Sequence, residues 1–127
     1  MEPMIERIGG EERVSLLVNH FYDLIETLPQ GAAIMQLHLK GHGIAHVRPE
    51  QFDFLCGFLG GRRYYQERHG HMSLREIHAH VEIRTQDAED WLAVMARAMG
   101  ETGVPDREAA EILQTLRRAA LMLVNQT

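Results

Sequence analysis

The chain has 127 residues, enough for one core and too few for two, and with 45% of them hydrophobic it can bury that core. Its 18 acidic against 13 basic residues leave a net charge of −5, which works against binding to phosphate backbones or anionic lipid, and no apolar run approaches the roughly 18 residues of a membrane span. A lone cysteine, Cys56, excludes an intrachain disulfide and any site built from several thiolates.

Residues 1–7 carry neither the basic run nor the apolar stretch of a secretory signal, so a cytoplasmic, reducing compartment is expected. After Gly9-Gly10, the residues Val14, Leu17, Val18, Phe21, Ile25 and Leu28 recur at three- and four-residue steps and predict an amphipathic helix over about 11–28. Pro29 ends it or opens a short helical piece through about Leu37, and Gly41 and Gly43 mark a loop reaching to Arg48. The next helix is expected to start at Pro49, whose missing N–H is harmless in a first turn. Phe52, Leu55, Cys56 and Leu59 form one apolar stripe on it, Gln51, Phe54 and Phe58 a second, and Gly60-Gly61 stop it. Two such faces predict a helix wedged between partners, with Cys56 a small core residue.

Residues 62–72, with Tyr64, Tyr65, His69 and His71, read as an extended polar loop. Ser73-Leu74-Arg75-Glu76 has the spacing of a capping box and opens a short helix over about 74–79. Thr85 is the expected cap of a helix whose first turn holds Asp87, Glu89 and Asp90. Its stripe is Ala88, Trp91, Leu92, Met95 and Met99, with Gly100 as stop. The last helix follows Pro105 and shows Ala109, Ile112, Leu113, Leu116, Ala120, Leu123 and Val124. Four long helices and several short ones predict an all-α fold.

Histidine is in excess: eight, as many as all phenylalanines, tyrosines and tryptophans together. Most histidines are solvated or hydrogen-bonded side chains, and a function is needed for only one. Zinc asks for a set of ligands. His69-Gly70-His71 and His78-Ala79-His80 place their rings about 200° apart on a helix, and His42 and His46 sit in a Gly-flanked loop with no HExxH motif or cysteine pair to complete them. Haem asks for less, since it brings four equatorial nitrogens and needs one axial imidazole and a dry slot. His78, sharing a helix face with Leu74, supplies the first, and Phe54, Phe58, Trp91 and Met95 are candidates for the second. On spacing alone, a haem-free helical interaction module, binding zinc through surface histidines or nothing at all, stays open beside it.

The ordered motifs narrow this. Glu6-Arg7-Ile8-Gly9-Gly10, Phe21-Tyr22, Phe54-Leu55-Cys56-Gly57-Phe58-Leu59-Gly60-Gly61, His69-Gly70-His71, Leu74-Arg75-Glu76-Ile77-His78, Asp90-Trp91-Leu92 and Leu123-Val124-Asn125-Gln126-Thr127 follow one another along nearly the whole chain, with 12 residues between His78 and Trp91. In that order they resemble the group II truncated haemoglobins, the short two-on-two globins. The resemblance implies a truncated two-on-two helical sandwich enclosing haem, with residues 1–127 as a single globin domain. It implies His78 as the proximal iron ligand, its other ring nitrogen donating to a backbone carbonyl. Tyr22 matches the distal tyrosine, Trp91 the tryptophan whose indole N–H lies over the iron, Gln51 a position where some members place a distal glutamine and others a leucine, and His38 a corner position that carries Tyr, Phe or His. Val47 stands where ordinary globins hold the distal histidine. Phe21, Val47, Phe54, Phe58, Tyr65, Leu74, Val81, Ile83 and Met95 are the expected haem contacts, and with no CxxCH motif the haem is expected to be b-type.

Three departures from the family pattern are visible. The segment from His38 to Phe54 is about two residues longer, which brings His46 toward the iron as a sixth ligand or gate. Residues 79–83 lack the Leu-Pro-Phe-Pro of many members. Glu50 stands at the rim where relatives often carry Arg, leaving Arg75, Arg62 or Arg63 as propionate partners. The implied ligands are dioxygen, carbon monoxide, nitric oxide and other diatomics, with slow dioxygen release because several donors converge on one site. Redox chemistry on nitric oxide or peroxide would use the same donors, the former with a reductase, and whether the chain is an enzyme stays open. Monomer or homodimer is expected, with neither nucleic acid nor membrane as partner.

Overall fold

Gly9 and Gly10 make the first junction, with φ of 120° and 78° in the left-handed region that glycine enters without a Cβ penalty. In the computed structural model, which describes residues 2–29, 31–32, 34–35, 44–70 and 82–124 without the side chains of 44–46, they separate α1 (Met4–Ile8) from α2 (Gly10–Thr27). The predicted helical face of α2 is buried, and Tyr22 and Leu24 are buried with it. Glu11 and Glu12 in its first turn complement the helix dipole. α1 had no periodic signal because five residues are too few to show one; Ile5 and Ile8 nevertheless anchor it in the core. Residues 31, 32, 34 and 35 are helical, in line with the short piece expected after Pro29. Gly31 is required there, since a Cβ at that position would collide with the Ile25 carbonyl.

α3 (Ile44–Phe58) starts before Pro49, not at it. Pro49 lies on an exposed side of the helix and forfeits only the backbone bond to the carbonyl of residue 45, close to the N-terminus, where the loss is tolerated. The predicted stop holds: the Gly61 N–H donates to the Cys56 carbonyl at 2.7 Å and the Gly60 N–H to the Gly57 carbonyl at 3.1 Å, the paired bonds of a Schellman end. The expected extended loop is partly helical, as α4 (Tyr64–His69). Its polar sequence hides two aromatic anchors. Tyr65 is buried, while Tyr64 stacks on Phe52 at 6.1 Å and donates to the Glu11 carboxylate at 3.0 Å.

α5 (Thr85–Glu101) begins one residue away from the expectation, with Arg84 rather than Thr85 in the capping position and the Asp87 carboxylate accepting from the Arg84 N–H at 2.9 Å. It runs through Gly100, and the turn at Thr102 and Gly103 ends it instead. α6 (Asp106–Met122) follows Pro105 and buries Ile112 and Leu116. The described elements are all helices, and no helix among the described residues is long and apolar enough to cross a membrane. The short helix expected over about 74–79, with its capping box, lies outside the described residues.

α2 is the hub of the packing. α1, α3 and α5 pack on it, α6 packs on α5, and α4 packs on α3. Phe21, Leu17, Ile25, Met95 and Met99 are essentially inaccessible at the centre, each contributing on the order of 1.5–3 kcal/mol by burial. Polar staples close the periphery. Arg7 pairs with Glu108 at 3.0 Å and ties α1 to α6, and the Arg13 guanidinium donates to the carbonyls of Ile8 and Thr102. α3 and α5 thus share a neighbour, yet among the described residues they have no comparable packing with each other.

Candidate functional site

Successive residues of an α-helix point about 100° apart, so Phe21 and Tyr22 serve different neighbours of α2. Phe21 meets Trp91 of α5, with ring centroids 5.3 Å apart. Tyr22 faces α3, where its hydroxyl donates to Gln51 Oε1 at 3.4 Å and its ring lies 5.7 Å from the Arg48 guanidinium carbon. The two α2 rings pack edge to face at 4.9 Å. Tyr22 has no exposed surface. Burial pushes its phenol well above the usual tyrosine range, with Arg48 pulling weakly the other way, so the group stays a neutral O–H donor.

The walls on either side are apolar and incompletely covered. Val47, Phe54 and Phe58 of α3 are half-buried, as is Trp91 of α5, and Phe54 and Phe58 tilt together at 5.3 Å. Met95, one turn after Trp91, is fully buried, and Tyr65 and Ile83 are buried as well. Among the described residues the Trp91 indole N–H has no acceptor. Half-buried aromatics on two helices that share α2 as a neighbour, with a buried phenol and a half-buried amide between α2 and α3, are chemically suited to a flat apolar macrocycle and a polar ligand beside it. The Cys56 thiol, pushed up to about 12 by burial first and then by Glu11 and Asp53, takes no part as a thiolate.

The structure brings Tyr22, Gln51, Phe21 and Trp91 together at the edge shared by α2, α3 and α5. His78, His38, Leu74 and Val81 lie outside the described residues, as does the side chain of His46, whose backbone belongs to α3. Glu50 is held by α4, accepting from His69 at 2.9 Å with Arg68 at 3.8 Å, and Arg62 is paired with Glu67 at 2.9 Å. Two features went unseen in the sequence. Asp53 is buried beside the Arg68 guanidinium at 3.2 Å, and Arg48 bridges α3 to α2. The signal for Arg48 was its i, i+3 relation to Gln51, which puts both on one face of α3.

A family profile described as bacterial-like globin matches residues 4–125. A group 2 truncated hemoglobin of Bacillus subtilis is 33% identical over 118 residues, covering 93% of this chain and 86% of the relative. Among solved structures, the group II two-on-two hemoglobin from Agrobacterium tumefaciens superposes with a TM-score of 0.92 at 32% identity, covering 100% of this chain and 97% of that one. The group II truncated hemoglobin from Bacillus anthracis gives 0.87 at 32% identity, covering 99% and 93%. A truncated haemoglobin from Bacillus subtilis, described as oxygen-avid, gives 0.84 at 31% identity, covering 98% and 100%. The all-helical architecture and these matches over nearly the whole length agree: the chain belongs to the bacterial-like globin family, as a truncated two-on-two haemoglobin of group II.

Proposed function

We propose that this chain binds a b-type haem between α3 and α5 and there holds dioxygen or another diatomic ligand, releasing it slowly. The observation that carries the reading is the fully buried Tyr22 hydroxyl beside Gln51 on the edge of an aromatic seam, a polar pair that packing alone does not need. Haem, when bound, would supply an iron able to take dioxygen, carbon monoxide or nitric oxide, and His78, assigned from its place in the sequence, would hold that iron. Val47, Phe54, Phe58 and Met95, with Phe21, Tyr65 and Ile83, are the described residues assigned to wall it; Leu74 and Val81 complete the assignment.

The work of the chain is then to exclude water and to present donors. In a dry aromatic slot, a hydrogen bond to a partly negative ligand gains from the low local dielectric. Tyr22 would turn to the ligand the O–H that it otherwise gives to Gln51 Oε1, Trp91 offers an indole N–H, and Gln51 its amide N–H groups, with His38 a further donor and His46 a gate or sixth ligand in this reading. If each donor is worth about 1 kcal/mol net, two or three slow release by roughly ten- to several-hundred-fold relative to an apolar pocket. The oxygen-avid character of the Bacillus subtilis relative points the same way. The same donors suit redox chemistry on nitric oxide, with a reductase as electron source, or on peroxide. A cytoplasmic monomer or homodimer suffices for each of these.

The test is an absorption scan of protein produced with ample haem supply. A Soret band that shifts with carbon monoxide after reduction, and that is lost in His78→Ala, is the expected result. A colourless wild-type chain that takes up no added haemin would leave the haem-free interaction module. Fast, reductant-supported turnover of nitric oxide or peroxide would make the chain an enzyme; tight, inert dioxygen binding would make it a carrier or sensor.

A further inference from the structure

Asn19, Tyr22, Asp23 and Glu26 fall at steps of three and four along α2 and so form one stripe. The Arg48 side chain of α3 lies along it. Nη1 donates to the Asn19 carbonyl at 3.0 Å and to Asn19 Oδ1 at 3.3 Å. Nη2 donates to Asp23 Oδ1 at 3.0 Å, with Glu26 Oε1 at 3.6 Å. Between these anchors the guanidinium passes over the Tyr22 ring, 5.7 Å from its centroid. The Arg48 side chain is 24% exposed but those of Asp23 and Glu26 are 64% and 47% exposed, so solvent screens the ion pairs, and the contact with the buried Tyr22 ring is the sheltered one.

The arrangement brackets one tyrosine. Arg48 and Gln51, three residues apart on α3, meet the ring face and the hydroxyl of Tyr22 respectively. Phe21 meets the ring edge to face at 4.9 Å. A planar guanidinium suits this role better than an ammonium, because it can stack on a ring while its N–H groups fork to acceptors on either side.

We propose that Arg48 is a positioning residue for the distal donor: by gripping α2 across Tyr22, it holds the phenol in the orientation that aims its hydroxyl toward Gln51. The proposal rests on the ligand-binding reading given above for its effect on dioxygen, but not for its effect on Tyr22 itself. A plain interhelical staple would stabilise the fold without tuning the hydroxyl.

The experiment is a double-mutant cycle on the haem-loaded protein with Arg48→Met, Tyr22→Phe and both, read as dioxygen dissociation rates. Arg48→Met is expected to speed dissociation by about three- to tenfold, the scale of one lost cation–π contact, and to add nothing in the Tyr22→Phe background. An equal effect in both backgrounds, or a wild-type rate in Arg48→Met, overturns the proposal. Should Arg48→Met fail to fold, Asp23→Ala removes an exposed anchor and is expected to give a smaller effect with the same dependence on Tyr22. Exchange of the Tyr22 hydroxyl proton with solvent, followed by NMR in the protein as purified, needs no haem. It is expected to quicken in Arg48→Met and to return toward wild type in Arg48→Lys less than fully; unchanged exchange overturns the proposal even in a chain that binds no haem.

Discussion

Phe21 and Tyr22, neighbours in sequence, meet at an interplanar angle of 85°, and each ring faces a different helix. The apolar ring is committed to Trp91 on α5 and the phenol to α3, so one turn of α2 joins the aromatic and polar halves of the site. Substituting Tyr22 by Phe keeps the edge-to-face packing and removes only the hydroxyl. Dioxygen dissociation is expected to quicken by about three- to tenfold, the equivalent of one hydrogen bond of ~1 kcal/mol. Folding stability should change by no more than about 1.5 kcal/mol, because the ring stays buried. Stopped-flow displacement by carbon monoxide and a denaturant titration read the two effects; an unchanged dissociation rate removes Tyr22 from the donors.

Trp91 separates packing from donation in the same way. Its ring leans on Phe21 at 5.3 Å, and among the described residues the indole N–H has no acceptor, so the group is available to a ligand. Trp91→Phe retains an aromatic partner for Phe21 and loses the N–H. Dissociation should again quicken by about three- to tenfold, and in combination with Tyr22→Phe the two effects should multiply if the donors act independently. A rate within error of wild type would make Trp91 a wall and nothing more.

Helices with long apolar stripes were legible, and elements held by a few specific contacts were not. In α2 the stripe from Val14 to Ile25 stated both the helix and its buried face. In α4 the run of polar residues concealed Tyr65, whose burial depends on α3 standing beside it. Pro49 misled because a proline marks a first turn more often than a second, and here the second turn tolerates it. At the site, the aromatic walls followed from periodicity, but the roles of Tyr22, Gln51 and Trp91 came from resemblance to a family. For Arg48 the spacing to Gln51 gives a shared helix face and no more, since its partners Asn19 and Asp23 are set by how α3 crosses α2.

Alkaline pH gives a test of burial. Tyr22 and Cys56 are both driven above their ordinary values by desolvation, Cys56 to about 12. Above about pH 8.5 for the thiol and about pH 10 for the phenol, the unfolded chain releases protons that the folded chain retains. Stability is therefore full below those values and falls as pH rises toward the folded ones, by up to about 1.4 kcal/mol per pH unit for each group. Denaturant midpoints measured from pH 8 to 11 should decline, and the decline should be shallower in Tyr22→Phe. It should not vanish, because Cys56 and the buried Tyr65, whose phenol is also raised, remain. An identical slope in Tyr22→Phe would mean that the phenol titrates as freely folded as unfolded.

Asp53 works in the opposite range. Only 5% of it is exposed, its Oδ2 accepts no hydrogen bond among the described residues, and burial raises its carboxyl above the usual aspartate range while Arg68 at 3.2 Å and His69 partly offset this and Glu50 adds to it. A folded pKa above the unfolded one means that the folded state favours the proton. The associated stability is present below about pH 4 and lost as pH rises through the folded value. Ionising the carboxylate therefore costs more in the folded chain than in the unfolded one, and a guanidinium that is itself largely solvated offsets only part of that cost. Asp53→Asn keeps the shape and removes the charge, and Arg68 can turn to water or to Glu50. The variant is expected to be as stable as wild type or more stable, by up to about 1 kcal/mol at pH 7, with the advantage shrinking below pH 4, where both side chains are neutral. Denaturant titrations at the two pH values read the difference. A loss of more than about 1 kcal/mol at pH 7 would instead make the Asp53–Arg68 pair a net contributor to the junction of α3 and α4.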